Sequence, residues 1–201
     1  PESPERRRDE FAIRMNVVRT EVAVHGYTAD AEQMIVDALG RAEVAGDARR
    51  RYAGLRILGY LRMMRSEFEL VGELASELLA IAEADREPIL LTDAYLLTGL
   101  GRSWKEGVAA GLENYGDAVR YGESARTGYV DFRIGTHPAV VANVVTALSQ
   151  WIVGTPETAR ETMRHALDLA AELEHPYSVA YVTHHASLLD LWGDDMEALT
   201  A

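Results

Sequence analysis

No cysteine occurs among the 201 residues of this chain. That absence removes disulfides, thiolate zinc sites, iron–sulfur ligation and cysteine nucleophiles together. It suits a reducing compartment without requiring one. Long apolar runs are missing too: nowhere do about 18 apolar residues follow one another, so no membrane span is expected. Positive charge is in short supply. Against 32 acidic side chains stand 20 basic ones, a net charge of −12. So acidic a chain is a poor partner for nucleic acid as a whole. Its acidic surface reads first as a means of staying soluble and second as a groove for a basic peptide. The opening residues, Pro1 to Arg8, are charged and lack the apolar core of a signal peptide, and no initiator Met precedes them. The stretch from Asp194 to Ala201 reads as a helix cut off in its second turn. Both ends lead to the expectation of a fragment of a longer protein.

Catalytic signatures are equally scarce. Gly99 and Gly101 sit in a helical pattern, with no preceding strand and no Gly-Lys-Ser/Thr to follow, so they do not make a phosphate loop. There is no Gly-x-Ser-x-Gly, no Ser/His/Asp grouping and no pair of catalytic carboxylates. Neither His-x-x-x-His nor His-Glu-x-x-His occurs. Neither an enzyme nor a metal or other cofactor is expected.

What the chain does have is helical periodicity almost throughout. Phe11, Met15, Val18 and Val22 share one face of a first helix, ended by Gly26. Thr28 or Asp30 can cap a second, which carries Ile35, Ala38, Leu39 and Ala42 and stops at Gly46. Asp47 caps a third with Tyr52, Leu55, Leu58 and Leu61 on one side. Gly54 and Gly59 lie inside it, each costing about 1 kcal/mol against Ala, and the usual return is close approach by a neighbouring helix. A fourth helix starts near Ser66. Glu87-Pro88, His137-Pro138 and His175-Pro176 each open a further apolar stretch, since proline is tolerated in a first helical turn. A loop over 125–137 with Tyr129, Phe132 and Ile134 is expected to pack onto the helices around it. The β-branched run Val140, Val141, Val144 and Val145 extends through Leu148 and Trp151, too long for a strand, and is read as a buried helix.

The prolines stand at positions 88, 138 and 176, spaced by 50 and 38 residues. A self-similar period near 40 indicates stacked helical hairpins. The turns that join the two helices of a hairpin align as well. Ser66 and Gly154 lie five residues before Val71 and Ala159, and twelve before Leu78 and Ala166; Gly107 stands likewise to Leu112 and Val119. Small or apolar residues at such positions let two helices cross closely, and the turn residue must tolerate unusual backbone angles.

On these residues the chain resembles degenerate tetratricopeptide repeats lengthened to about 39 residues. From about Phe68 to Trp192 it resembles more specifically the helical-repeat region of large bacterial signalling proteins, in which that region accompanies an ATPase module and often a cyclase or DNA-binding domain. The phrases that carry this are Glu73 to Glu83, Gly135 to Val140, where the family commonly has Gly-x-Asp-Pro in place of Gly-Thr-His-Pro, and Ala166 to Ser178. The resemblance implies an all-α, right-handed superhelical stack of antiparallel hairpins, a TPR-like α-solenoid of about nine or ten helices. The hairpins would span 4–45, 47–85, 87–124, 137–174 and 176–201, in a single domain. First helices would line the concave face.

The implied function is a protein-interaction or regulatory scaffold that binds a protein or peptide partner, other domains of the parent chain included, and neither nucleic acid nor membrane. Polar and aromatic residues on first helices would serve the groove: Arg56, Tyr60, Asn143, Tyr181, His184 and His185. Each has a structural alternative. His184 and His185 point about 100° apart and are poor joint metal ligands. Asn143 can bond to a neighbouring helix. The arginines at 49, 50, 51, 56, 62 and 65 read as a solvated face, or as a patch for an acidic partner. Trp104, Trp151 and Trp192 fall at the ends of first helices and are expected in the repeat core. Two other functions are open: a small-molecule sensor whose pocket the 125–137 loop closes against Trp151 and Tyr181, and a homo-oligomerisation element.

Overall fold

A computed structural model of the chain describes residues 4–26, 28–44, 46–125 and 136–193. Among these residues there is no strand, and nine helices follow one another: α1 (Pro4–His25), α2 (Ala29–Val44), α3 (Ala48–Met64), α4 (Phe68–Asp85), α5 (Pro88–Glu106), α6 (Val108–Ser124), α7 (Pro138–Ile152), α8 (Pro156–Glu172) and α9 (Pro176–Trp192). The β-branched run after Pro138 is a helix, as its length requires. The expected loop over 125–137 and the expected helix from Asp194 lie, for residues 126–135 and 194–201, outside the described residues. The helices fall into two compact units, residues 1–85 and 86–201.

In the first unit each helix packs on the next, α1 on α2, α2 on α3 and α3 on α4. Local chemistry sets the boundaries. Gly26 at φ +80° and Gly46 at φ +65° make the turns. The Thr28 hydroxyl accepts from the Ala31 amide at 3.2 Å, and the Asp47 carboxylate accepts from Arg50 at 3.1 Å, each satisfying an N-terminal donor that its helix leaves orphaned. Val18, Ile35, Leu58 and Leu61 form the core, with Val22, Leu39, Ile57 and Leu74 against it. A Cβ on Gly54 would stand 2.6 Å from Leu39, so here the glycine does admit a neighbouring helix.

Most arginines of the basic cluster are paired with acidic side chains, although Arg49 remains 68 % exposed. Arg49 grips Asp85 with two bonds of 2.8 and 2.9 Å. That grip holds the Asp85 carboxyl below the usual carboxylate range. Arg51 pairs with Glu77, while Arg62 and Arg65 converge on Glu32, and Arg62 also reaches Glu67 at 2.6 Å. Arg49 and Arg51 thus tie α3 to α4, and Arg62, with Arg65 just past its end, ties it to α2.

In the second unit α7 is the hub, packed by α5, α6, α8 and α9. The first helices α5, α7 and α9 adjoin in that order, with α6 against α5 and α7 and α8 against α7 and α9. Pro88, Pro138, Pro156 and Pro176 each occupy the first turn of a helix. Around α7 the core gathers Val140, Val144, Met163, Leu169, Val182 and Leu189. Where α5 crosses α6, a Cβ on Gly111 would lie 2.5 Å from the Gly99 carbonyl oxygen, and one on Gly99 would lie 2.5 Å from the Tyr115 ring. Gly122 meets Ala139 of α7 in the same fashion, at 2.8 Å.

One pattern recurs in both units. Among the described residues, the second helices α2, α4, α6 and α8 each bury four residues in the same register: Ala31, Ile35, Ala38 and Ala42; Val71, Ala75, Leu78 and Ala82; Gly111, Tyr115, Ala118 and Gly122; Ala159, Met163, Ala166 and Ala170. Three of these sets begin five residues after a turn residue of positive φ, at Gly26, Ser66 or Gly154. The set in α6 begins at Gly111, one residue earlier than the expected Leu112, which is half-buried. The reason is the turn: Gly107 alone separates α5 from α6, whereas three residues separate α3 from α4 and α7 from α8.

The tryptophans depart from expectation. Trp151 packs against the α7–α9 core, but Trp104 is 66 % and Trp192 47 % exposed. Both stand in the last turn of a helix, where the stripe that the helix buries has already run out.

Candidate functional site

Three of the six sequence-selected residues come together on α9. Tyr181 and His185 are one helical turn apart, with rings 4.2 Å between centroids, and the His184 ring meets that of His185 edge-on at 5.0 Å. The His185 Nδ1 lies 2.8 Å from the Tyr181 carbonyl oxygen. A carbonyl only accepts, so Nδ1 carries the proton and the Nε2 lone pair of the neutral ring is left to accept a donor. The Tyr181 hydroxyl has no hydrogen-bond partner among the described residues, and burial pushes its pKa up to about 12. His184 is exposed. The cluster therefore offers a phenolic donor and an imidazole acceptor beside aromatic surface. Among the described residues no group of three or more His, Asp or Glu side chains is placed to hold a metal ion.

The other three are elsewhere. Arg56 lies over the Tyr60 ring at 5.1 Å on α3, in the first unit, as a cation–π pair. Asn143 is 2 % exposed, and its amide donates to the Ala139 carbonyl at 2.9 Å. It bonds neither to a neighbouring helix nor to a groove: a short side chain on the buried side of a helix finds its own backbone first, and at that exposure it has no surface to offer a partner.

Periodicity alone missed two features. The first is a polar cluster at the mouths of α7 and α9. The His137 amide donates to Ser178 Oγ at 3.0 Å, and Ser178 Oγ lies 2.8 Å from His175 Nδ1. The Ala139 amide donates to His137 Nδ1 at 3.2 Å, which makes the imidazole the N-cap of α7. That bond needs an unprotonated Nδ1. Burial, then the nearness of His175, lowers the His137 pKa below 6.5. The repeated His-Pro dipeptide was the available signal for this cluster. The second feature is the outer face of α9, where Tyr177 is 60 % and Leu191 56 % exposed. Next to its C-terminal end, Arg160 stacks on Trp151 at 5.0 Å, and a Cβ on Gly193 would lie 2.7 Å from the Arg160 guanidinium. None of the described helices is long and apolar enough to cross a membrane. No protein-family model matches the chain, and no curated protein is similar enough to count as a relative.

Proposed function

We propose that the chain is a non-catalytic interaction module, a tetratricopeptide-like stack of hairpins whose first helices present a docking face to a protein partner. The observation that carries this reading is the fourfold recurrence of the buried set on the second helices, at one register and near one period. A repeated supersecondary unit buries its faces against its neighbours and leaves one side as an extended surface. The adjacency of α5, α7 and α9 supports that surface being made of first helices. On α9 it carries Tyr181, His184 and His185, which suit an amphipathic helix laid against the face, with the apolar side chains inward and the polar hooks engaging its flank. The bacterial signalling context and a cytoplasmic setting belong to the same proposal.

The test is a binding measurement on the full chain. Amphipathic helical peptides and candidate partners are titrated against the native chain and against Tyr181→Ala with His185→Ala. Loss of binding with helicity retained is the expected result. Unchanged binding by the double variant would remove the α9 face from the reading.

A further inference from the structure

His137 and His175 hold the same place on successive first helices. Each is the N-cap, and each is followed by the proline of the first turn. The positive end of a helix dipole is a poor seat for a cation and a good one for a hydrogen-bond acceptor. An imidazole suits that place only while it is neutral. At His137 the need is explicit, because Nδ1 accepts from the Ala139 amide at 3.2 Å. An imidazolium carries a proton on both nitrogens, so protonation sets N–H against N–H and the cap is lost.

Ser178 extends the requirement to the second histidine. It is fully buried, and its Oγ accepts from the His137 amide at 3.0 Å. A buried hydroxyl proton needs an acceptor of its own. The acceptor in reach among the described residues is His175 Nδ1, 2.8 Å away. With that nitrogen bare as well, three bonds run in series from the mouth of α7 to the mouth of α9: Ala139 to His137, His137 to Ser178, and Ser178 to His175. A proton on His137 breaks the first. A proton on His175 turns the third round and leaves the serine hydroxyl with nothing to donate to. The charged forms find no help nearby. α7 has no acidic residue, and Asp190, the single one of α9, lies near its other end. On the helices packed around α7, Asp93 of α5 is buried, Glu123 of α6 is taken by His165 of α8 at 2.6 Å, and Glu172 closes α8. Burial, and after it the like charge of His175, opposes a proton on His137, and no carboxylate among the described residues favours one.

We infer that the His137–Ser178–His175 series is a proton-operated latch between α7 and α9, closed while both imidazoles are neutral and opened on acidification. The core beyond the helix mouths is built of Val140, Val144, Val182 and Leu189. Those side chains do not titrate, so the release is confined to the first turns.

Amide hydrogen exchange of the full chain, followed residue by residue by NMR and expressed as protection over the intrinsic rate at each pH, tests this. Between about pH 8 and about pH 5, where histidine titrates, protection of the His137 and Ala139 amides should fall about tenfold or more. Val144, in the middle of α7, should keep its protection. His137→Asn retains a capping oxygen, so in that variant the Ala139 amide should no longer follow pH. His175→Gln removes the like charge, so the His137 imidazole, titrated by NMR in that variant, should take up its proton at a higher pH. Steady protection of His137 and Ala139 across the range in the native chain overturns the latch. So does an equal loss at Val144, which would mean that the whole unit unfolds, and so does a His137 titration that His175→Gln leaves unmoved.

Discussion

Glycine in a helix is a cost in isolation and a requirement at a crossing, and this chain separates the two cases. Gly111 faces the Gly99 carbonyl where α5 meets α6, while nothing lies within 4 Å of a Cβ placed on Gly116, one turn further on. Gly111→Ala should therefore destabilise by about 1–3 kcal/mol, since backbone must move to admit the methyl. Gly116→Ala should stabilise by about 0.5–1 kcal/mol, because only the helix propensity changes. Urea unfolding of the two variants checks both signs at once. Tyr181 makes a second prediction. Its folded pKa of about 12 exceeds the usual 10, so folding resists its ionisation. The stability it contributes is complete below pH 10 and is lost as pH rises from there toward 12. Spectrophotometric titration should find it among the last of the nine tyrosines to ionise. Tyr181→Phe should remove its share of the alkaline loss and leave neutral stability within about 1 kcal/mol.

At the level of elements, the mouths of α7 and α9 are joined through Ser178, and one of the joined groups titrates. His137 caps α7 only while Nδ1 is unprotonated, and its folded pKa lies below the unfolded 6.5. Stability is thus full above pH 6.5 and falls as pH drops from 6.5 through the lowered folded value. His137→Asn keeps a capping oxygen without a titrating ring, so its melting temperature should depend less on pH below 6.5 than that of the native chain. Ser178→Ala, which removes a buried oxygen from both the His137 amide and His175, should cost about 1–3 kcal/mol at neutral pH. The helices themselves were legible in the sequence, because Pro, Gly, Thr28 and Asp47 punctuate them through local chemistry. The fates of side chains that depend on distant partners were not. Arg49 meets Asp85 across 36 residues and Arg65 meets Glu32 across 33, separations to which a helical wheel is blind. Asn143 looked like a groove residue because its polarity stands out in an apolar run, although one turn of its own helix satisfies it. The α9 triad was visible as a cluster because its members are sequence neighbours, whereas the His137–Ser178–His175 bridge needs two helices side by side.

For the molecule as a whole, the division at residue 85 has a thermodynamic counterpart. Two units with separate cores should melt in two transitions, each with its own determinants. Glu32→Gln, which weakens the arginine network of the first unit, should lower one transition, and Gly111→Ala should lower the other. Differential scanning calorimetry decides the matter: a single transition displaced by both variants would mean that all 201 residues unfold together. The packing within each unit also bears on how the chain reaches its fold. Within each unit, every helix after the first rests on the one before it or the one before that, so contacts join segments close in sequence, the topology associated with rapid folding. Inside a unit, each new helix leaving a ribosome would find its seat already built by the helices made just ahead of it, so each unit can accrete from its own amino end at the pace of synthesis.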